Sequence, residues 1–433
     1  MFRPTGFDDL TNKRVGIFGF GVEGRATLRR LEGITSDLVI VDDDPSQEGV
    51  LTSAQGGLEA LATCDVVLKS PGIPRRRGDV IALEDHDVAV TSALNLWLHE
   101  IDTARVIAVT GTKGKSTTTS LVAFFLRCLG EEAHELGNFG QPPYDPDVDL
   151  SSGWLVLEVS SFQSVDVTRA PGLVVVTSLG SDHLDWHGTL EQYHDDKLSI
   201  TRASGEHVTL IGDTPELEHA VALMGGKITV APADDTGLAH QLGLLGAHND
   251  HNVGLAVAAT SYLTDRTPDQ VRSAVRERAA RFTPLRGRLT LIASRARGSG
   301  AIRYVDDGLA TAPLPTIAAL EVFADDAVAL IAGGFDRGVD YEPLLEELRA
   351  RSAPTTLIVI GPAGERLASL CDGVVAVVRS NDIDSAVRSA DEALVEGGVV
   401  LLSPAAPSFD SYRNWTERSD DFARAVQRVI ADR

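Results

Sequence analysis

The sequence predicts an α/β protein made of three domains, each built on a largely parallel sheet. Three observations predict this class: short apolar runs rich in Val, Ile and Leu alternate with helical patterns, glycine-rich loops follow these runs, and the alternation restarts twice along the chain. The restarts place the expected domains at 1–101, 102–285 and 286–433.

The composition excludes several classes of protein. Of the 433 residues, 43% are hydrophobic and 23% are charged, as in ordinary globular chains, and the net charge of −23 argues against a nucleic-acid or anionic-membrane partner. Cys64, Cys128 and Cys371 have neither metal-ligand nor disulfide spacing, so we expect them in cores. No signal peptide opens the chain and no apolar run could span a membrane, so we expect a cytoplasmic protein.

The first domain begins with a strand that runs into a glycine turn. Gly19, Gly21 and Gly24 have the G-x-G-x-x-G spacing, and Asp42 ends the next strand roughly twenty residues later. This spacing predicts a diphosphate site on a Rossmann-like sheet and fits NAD and a nucleotide-sugar equally well. A rigid loop containing Ser70 and Gly72 follows another strand, at the end of a sheet where ligands bind.

An arginine run at 75–77 comes directly after that loop. We interpret it as a solvated loop face rather than a site, although one of its members could contact a phosphate.

The central domain is organised by a strand, a glycine loop and a helix at 106–127. Such a loop points backbone N–H groups and a helix N-terminus at a phosphate, and Lys115 would reach the β- and γ-phosphates with Ser116 or Thr117 on Mg²⁺. The loop lacks the first glycine of the full P-loop pattern, and a structural turn is the alternative. Its position between strand and helix favours a nucleotide and the sheet of a P-loop ATPase. The loop residues are Gly111, Thr112, Lys113, Gly114, Lys115, Ser116 and Thr117.

Polar side chains follow further strands of the central domain. Glu158 ends a buried strand, and His183 and His187 follow the next one. Each alone fits an ordinary loop, but their convergence with a phosphate loop suits Mg²⁺, which prefers hard oxygen ligands. Asn249 and Asn252 open a later helix three residues apart, where they either bind a base edge or cap the helix.

Strand and loop units alternate with helices again from 286 onward, which predicts a second Rossmann-like sheet. Together, the loops of the three domains resemble those of the Mur ligase family, which builds the peptide stem of peptidoglycan. The likeness covers nearly the whole chain and is greatest to the MurD type, which adds glutamate to UDP-N-acetylmuramoyl-L-alanine. Its markers are the 111–117 loop, Gly137-Asn138, 157–163, Asp182-His183, Lys197, 248–252, Arg286 and 402–405.

The resemblance implies an ATP-dependent amide ligase that works through an acyl phosphate. It implies that Lys115, Glu158, His183 and Lys197 are catalytic, and that Ser116, Glu158, His183 and a carbamylated Lys197 hold Mg²⁺. ATP would contact the phosphate loop, Asn249, Asn252, Arg286 and Asp307. The UDP-sugar would contact Gly19, Gly21, Gly24, Asp42, Ser70, Gly72 and Asn138.

The third domain departs from the MurD pattern where the amino acid should bind. Leu309 and Ala312 replace a lysine and an asparagine, while Arg337 and Trp415 stand where a lysine and a phenylalanine are expected. Because these changes should move the glutamate carboxylates, we expect the variant subgroup that adds L-glutamate, with the D-glutamate enzyme as the alternative. The expected amino-acid site is Thr311, Arg337, Ser408 and Trp415.

Three further classes compete with this prediction. They are a folylpolyglutamate- or cyanophycin-like ligase, a catalytically inactive nucleotide-binding regulatory protein marked by Leu309, and an NAD-dependent oxidoreductase. The last leaves the phosphate loop without a use, and the presence of Lys115 and Lys197 favours an active ligase. The expected partners are therefore ATP, UDP-N-acetylmuramoyl-L-alanine and glutamate, bound by a monomer without nucleic acid or membrane span.

Overall fold

A computed structural model of the chain describes residues 2–44, 50–138 and 140–432. The described residues form three sheets in two compact units. The first unit contains residues up to 238 together with 250–278, and the second contains 239–249 together with the residues from 279 onward. Residues 239–249 therefore belong to the unit of the third sheet, although the predicted central domain includes them.

The first sheet consists of four parallel strands, β1 (Val15–Phe18), β2 (Leu38–Val41), β3 (Val66–Lys69) and β4 (Ala89–Thr91). Its order is β2-β1-β3-β4, so the chain changes direction between β1 and β3. Ligands of open α/β sheets bind at such a switch point, which lies here between the glycine turn after β1 and the Ser70 loop after β3. The helices are α1 (Val22–Leu31), α2 (Gly57–Leu61), α3 (Gly78–Asp85) and α4 (Ala93–Glu100).

The second sheet has six parallel strands in the order β10-β9-β8-β5-β7-β6. They are β5 (Val106–Thr110), β6 (Ala133–Gly137), β7 (Trp154–Glu158), β8 (Leu173–Val176), β9 (Val208–Gly212) and β10 (Lys227–Ala231). Since β7, β5 and β8 are neighbours, the loops that follow them leave the sheet at one edge. The helices between β5 and β11 along the chain are α5 (Lys115–Cys128), α6 (Ser161–Ser164), α7 (Leu184–His187), α8 (Leu190–Leu198), α9 (Pro215–His219), α10 (Leu238–Gln241), α11 (His248–Thr264) and α12 (Pro268–Arg276).

The third sheet has six strands in the order β11-β12-β16-β13-β14-β15. They are β11 (Thr290–Arg297), β12 (Gly300–Asp306), β13 (Val328–Gly333), β14 (Thr355–Ile360), β15 (Ala376–Arg379) and β16 (Gly398–Leu402). All pairs are parallel except β11 with β12, and this antiparallel edge strand was not predicted. The helices are α13 (Pro313–Val322), α14 (Glu342–Ala350), α15 (Gly361–Leu370), α16 (Ile383–Ala393) and α17 (Trp415–Ala431).

These sheets confirm the predicted α/β class. The three cysteines are buried, as expected. No helix in the described part of the chain is both long enough and apolar enough to cross a membrane.

A buried ion pair links the two sheets of the first unit. Lys69 Nζ, at the end of β3, lies 2.5 Å from Asp166 Oδ2, and the two side chains are 0% and 1% exposed. Arg75 adds a second cation at 2.9 Å from Asp166 Oδ1. Because removing water from two charges is costly, such a pair is stable only while both partners remain.

The arginine run is not the solvated loop face that the sequence suggested. Arg76 pairs with the buried Asp196 of α8, and Arg77 pairs with Asp43 and Asp79. All three arginines therefore fix loops of the first unit. A run of charges in a sequence does not reveal this, because the partners Asp166, Asp196 and Asp43 are distant along the chain.

Asp166→Ala should lower the free energy of unfolding by about 3–5 kcal/mol, because it leaves the Lys69 ammonium buried without its main counter-charge. Glu365→Ala, which removes the exposed partner of Arg379, is the matched control and should cost at most about 1 kcal/mol. Equilibrium urea denaturation measures both, and equal costs for the two variants would contradict the burial argument.

Candidate active site

The phosphate loop is held in one shape by residues that follow β8. Thr177 Oγ1 donates to Lys113 O at 2.5 Å, and Lys113 N donates to Ser178 Oγ at 2.8 Å. Gly114, the residue before α5, has φ +86°, and a Cβ there would lie 2.4 Å from Asn252 Oδ1. Only glycine fits this position, so the N-terminus of α5 and the loop N–H groups form a fixed anion site.

Two lysines converge on one carbonyl oxygen of this loop. Lys115 Nζ donates to Gly111 O at 2.9 Å and to Thr112 O at 3.1 Å, and Lys197 Nζ, from α8, donates to Gly111 O at 2.9 Å. Burial and the neighbouring Lys115 charge lower the pKa of Lys197 well below its ordinary value. The Lys197 amine is therefore biased towards its neutral, nucleophilic form.

Glu158 presents a carboxylate oxygen that fits a metal ion. The side chain is buried at the end of β7, and its Oε1 accepts a hydrogen bond from Asn138 Nδ2 at 2.8 Å. Within the described residues, Oε2 is buried and has no hydrogen-bond partner. An unpaired buried carboxylate oxygen is costly unless a cation or donor meets it, so the geometry suits a hard cation such as Mg²⁺.

The other predicted metal residues come from two elements. Ser116 is buried in the first turn of α5. His183 precedes α7 in a left-handed conformation with φ 48°, and its ring centroid lies 4.9 Å from that of Phe162. Among the residues that the structure describes, no three His, Cys, Asp or Glu side chains form a metal cluster. The predicted set contains only two such residues, because Ser116 and Lys197 supply the rest.

Helix α8 also contacts the phosphate loop through a residue that sequence reasoning did not place in the site. Tyr193 OH donates to Thr112 Oγ1 at 3.0 Å, and the same oxygen accepts from Gly180 N at 2.9 Å. Thr112 thus fixes its loop to α8 and to the segment after β8. Thr117 follows Ser116 in the first turn of α5 and is partly buried.

The switch point of the first sheet opens into a cavity of about 440 Å³. Its walls include six of the seven predicted UDP-sugar residues: Gly19, Gly21, Asp42, Ser70, Gly72 and Asn138. Gly24 is the exception, since it lies in α1, where a Cβ would meet Gly19 O at 2.1 Å. That glycine permits close packing of helix and turn and does not line the cavity.

Side chains around the cavity stabilise its turns. The Asp42 carboxylate accepts hydrogen bonds from the backbone N–H of Phe20 and of Asp44. Ser70 Oγ donates to Gly19 O at 2.7 Å. The glycine turn is therefore fastened to the loops after β2 and β3.

Glu23 lines the same cavity and was missed by sequence reasoning. It accepts hydrogen bonds from Tyr144 OH at 2.9 Å and Gln163 Nε2 at 2.7 Å, and burial raises its pKa above the ordinary value. An acidic residue in the first turn of a helix is common because it favours the helix dipole. The sequence therefore carried no specific signal for this position.

Three of the predicted nucleotide-binding residues lie in the second unit. Asp307 follows β12, accepts a hydrogen bond from Ser403 Oγ at 2.8 Å, and has a pKa that burial raises to about 7. Arg286 is ion-paired with Asp420 of α17. Asn249 Nδ2, in the first turn of α11, donates to Leu245 O at 2.7 Å.

Three of the predicted amino-acid residues lie in loops at the carboxyl edge of the third sheet, and the fourth, Trp415, begins a helix. Trp415 opens α17, and its ring packs on Gly287, where a Cβ would lie 2.6 Å from it. The Arg337 guanidinium lies 5.7 Å from the ring centroid of Phe409. Thr311 follows β12 and Ser408, which is buried, follows β16.

Arg418 connects these loops and was not predicted. Its buried guanidinium donates to three carbonyls, one at the end of β13 and two in the loops that follow β12 and β16. Burial lowers the pKa of Arg418 to about 10. A guanidinium can serve three acceptors because its donors fan out in a plane. The acceptors are Gly308 O, Gly333 O and Ala406 O, at 3.2, 3.3 and 3.1 Å.

Comparison with known proteins places the chain in a family. Residues 109–227 match the Mur ligase middle domain. A UDP-N-acetylmuramoyl-L-alanine--L-glutamate ligase of Salinispora tropica is 36% identical over 97% of this chain and 98% of that protein. A UDP-N-acetylmuramoylalanine--D-glutamate ligase of Symbiobacterium thermophilum is 31% identical over 96% and 98%.

A solved structure shares the fold. MurF from Acinetobacter baumannii has a TM-score of 0.58 at 14% identity, over 94% of this chain and 90% of that one. The sequence matches and the fold together show that the chain belongs to the Mur ligase family, as an ATP-dependent ligase of the MurD type.

Proposed function

We propose that this ligase joins L-glutamate to UDP-N-acetylmuramoyl-L-alanine and converts ATP to ADP and phosphate in the process. The observation that carries the proposal is the position of Asn138. This residue lines the 440 Å³ cavity and also donates to Glu158, whose other oxygen faces no partner among the described residues. A nucleotide-sugar in the cavity would thus end beside the proposed metal and phosphate site.

The preference for L-glutamate rests on relatives and on three residues. The relatives at 36% and 35% identity are named L-glutamate ligases, and one at 31% is named a D-glutamate ligase. Leu309 and Ala312 lack the polar groups of the D-glutamate pattern, and Arg337 changes the shape of a cation. The D-glutamate reaction is the second candidate.

The predicted metal residues would act on the phosphates of ATP through the Mg²⁺ ion that they hold. Ser116, Glu158, His183 and carboxylated Lys197 would hold Mg²⁺, which supplies positive charge to a phosphoryl group in transfer. Carboxylation forms a C–N bond when the neutral Lys197 nitrogen attacks CO₂, and one proton leaves the nitrogen for solvent. The lowered pKa of Lys197 favours this step because it increases the neutral fraction.

The reaction then needs the chain mainly for positioning. An oxygen of the alanine carboxylate attacks the γ-phosphorus, the bond to the β–γ bridging oxygen breaks, and ADP leaves. The glutamate nitrogen attacks the resulting acyl phosphate, loses a proton and displaces inorganic phosphate. Lys115 and the loop N–H groups would stabilise negative charge on the phosphates, where such donors contribute most.

An ADP-release assay with each substrate omitted in turn tests the proposal. We expect release to require both UDP-N-acetylmuramoyl-L-alanine and glutamate, with L-glutamate preferred at least about tenfold in kcat/KM. Preference for D-glutamate would select the second candidate. ADP release that depends on neither compound would show that they are not the substrates of this ligase.

Lys115→Ala should lower kcat by about 10²–10³-fold, since it removes from the phosphate loop a cation that would stabilise negative charge on the phosphates. Lys227→Ala on β10 is the control, because this lysine is exposed in the same unit and should leave kcat unchanged. Steady-state ADP release measures both, and a near-normal rate for Lys115→Ala would exclude the residue from catalysis.

Lys197→Ala should lower activity by about 10²-fold and recover part of it when a short carboxylate such as acetate is added, because the acid replaces the missing carbamate. Lys115→Ala is the comparison and should not recover. A second measurement is independent of activity: ¹³C NMR with labelled bicarbonate should show a carbamate carbon that is absent from Lys197→Ala. No such signal and no rescue would rule out carboxylation.

A further inference from the structure

A hydrogen-bond chain leads from the arginine run into the interior of the first unit. Arg76 NH1 and NH2 donate to the two carboxylate oxygens of Asp196 at 2.9 and 2.5 Å, and Gln192 Nε2 donates to Oδ1 at 2.9 Å. Burial acts to raise the pKa of Asp196, but the hydrogen bonds from Arg76 and His187 outweigh it and hold the pKa below its usual value. The acid is therefore ionised and accepts from every neighbour.

The chain continues through His187 to Ser161. His187 Nδ1 lies 2.7 Å from Asp196 Oδ2, and Nε2 lies 2.9 Å from Ser161 Oγ. Burial lowers the pKa of His187, so the ring is neutral near pH 7. With an ionised acid at Nδ1, that nitrogen carries the proton and Ser161 donates to Nε2.

The order serine, histidine, aspartate has the connectivity of a hydrolase triad. Ser161 nevertheless lies inside the protein, and the cavity is lined by its neighbours Ser160 and Phe162. A nucleophilic serine must reach its substrate, which this one does not. The chain is better suited to fix structure than to attack a substrate.

The elements joined by this chain belong to two sites. Arg76 lies four residues beyond Gly72 on the loop after β3, and Gly72 O also accepts from Trp186 Nε1 of α7 at 3.2 Å. Asp196, the residue that Arg76 contacts, directly precedes Lys197, which donates to Gly111 O in the phosphate loop. One helix, α8, thus contacts both the cavity loop and the phosphate loop.

We propose that Arg76, Asp196 and His187 are positioning residues that couple binding in the nucleotide-sugar cavity to binding in the phosphate loop. A ligand that fixes the loop after β3 fixes Arg76 on Asp196, and α8 then holds Lys197 and Tyr193 against the phosphate loop. The inference rests on the proposed function for the identity of the two ligands. Coupling of this kind is reciprocal, so each ligand tightens the other by the same factor.

The experiment measures that factor in the full-length protein. Calorimetric titration gives the Kd of the ATP analogue AMP-PNP with Mg²⁺, with and without saturating UDP-N-acetylmuramoyl-L-alanine. In the natural protein we expect the second ligand to lower this Kd about tenfold, a usual size for such coupling. In Arg76→Gln the ratio of the two Kd values should fall to about one, while each ligand alone binds within about threefold of normal.

Arg29→Gln is the matched control. Arg29 is 40% exposed and pairs with the 4% exposed Asp145, as Arg76 is 48% exposed and pairs with the 5% exposed Asp196. Both pairs connect the first sheet's part of the unit with the second, but Arg29 does not contact α8. The control should lose similar thermal stability and keep the tenfold ratio, which separates coupling from general weakening.

Several outcomes would overturn the inference. The hydrogen-bond chain does not carry the coupling if Arg76→Gln keeps the natural ratio of the two Kd values, or if Arg29→Gln loses that ratio to the same extent. A ratio of one in the natural protein would also overturn the inference, because the two ligands would then not be coupled. Failure of the natural protein to bind the UDP-sugar at all would instead overturn the proposed function.

Substitution of His187 tests the middle of the chain. In His187→Gln the new side chain can donate to Asp196 and accept from Ser161, so this variant should keep part of the coupling between the two ligands. His187→Leu can do neither, so its ratio of Kd values should fall to about one. Labelling of Ser161 by a fluorophosphonate would identify a reactive nucleophile and overturn the positioning role.

Discussion

The carbonyl oxygen of Gly111 is the point on which the first unit depends. It accepts from Lys115, which belongs to the phosphate-loop helix, and from Lys197, which belongs to α8. Two ammonium groups that share one acceptor repel each other, and burial increases this cost. The conflict is relieved when Lys197 is neutral, and a neutral buried amine is also the form that reacts with CO₂. The contact of the two lysines with Gly111 O therefore fixes α8 on the phosphate loop and also favours the proposed carboxylation of Lys197.

The parallel sheets explain why so many groups meet there. Because β7, β5 and β8 are adjacent, Glu158, the phosphate loop and Thr177 leave one edge of the sheet. These positions come from three separate parts of the sequence, and each is polar where its strand stops being buried. The topology of a parallel sheet therefore brings the ends of distant strands together at its carboxyl edge, where polar side chains can form a binding site.

The sequence predicted those features whose residues are close together along the chain. The strands before Gly111 and Gly19 and the loops themselves could be read because strand, turn and helix are consecutive. Long-range partners could not be read: Arg76 with Asp196 and Glu23 with Gln163 are more than 100 residues apart in the chain. Strand β11 was missed because its alternating, partly charged face lacks the continuous apolar run of a central strand.

The third sheet shows how the same edge could select an enantiomer. The amine must face the acyl carbon in either form of glutamate, so inversion at the α-carbon changes the side on which the α-carboxylate lies. The loop after β12 has the apolar Leu309 where a cation is expected, whereas the loop after β13 has the cation of Arg337. Because β16 lies between β12 and β13, the two strands are two strand spacings apart, about 10 Å. The Arg366–Asp336 ion pair and the Gly333 O bond of Arg418 fix the loop that carries Arg337. The apolar Leu309 after β12 and the guanidinium of Arg337 after β13 make the two sides of the edge unequal for the carboxylates of a bound amino acid.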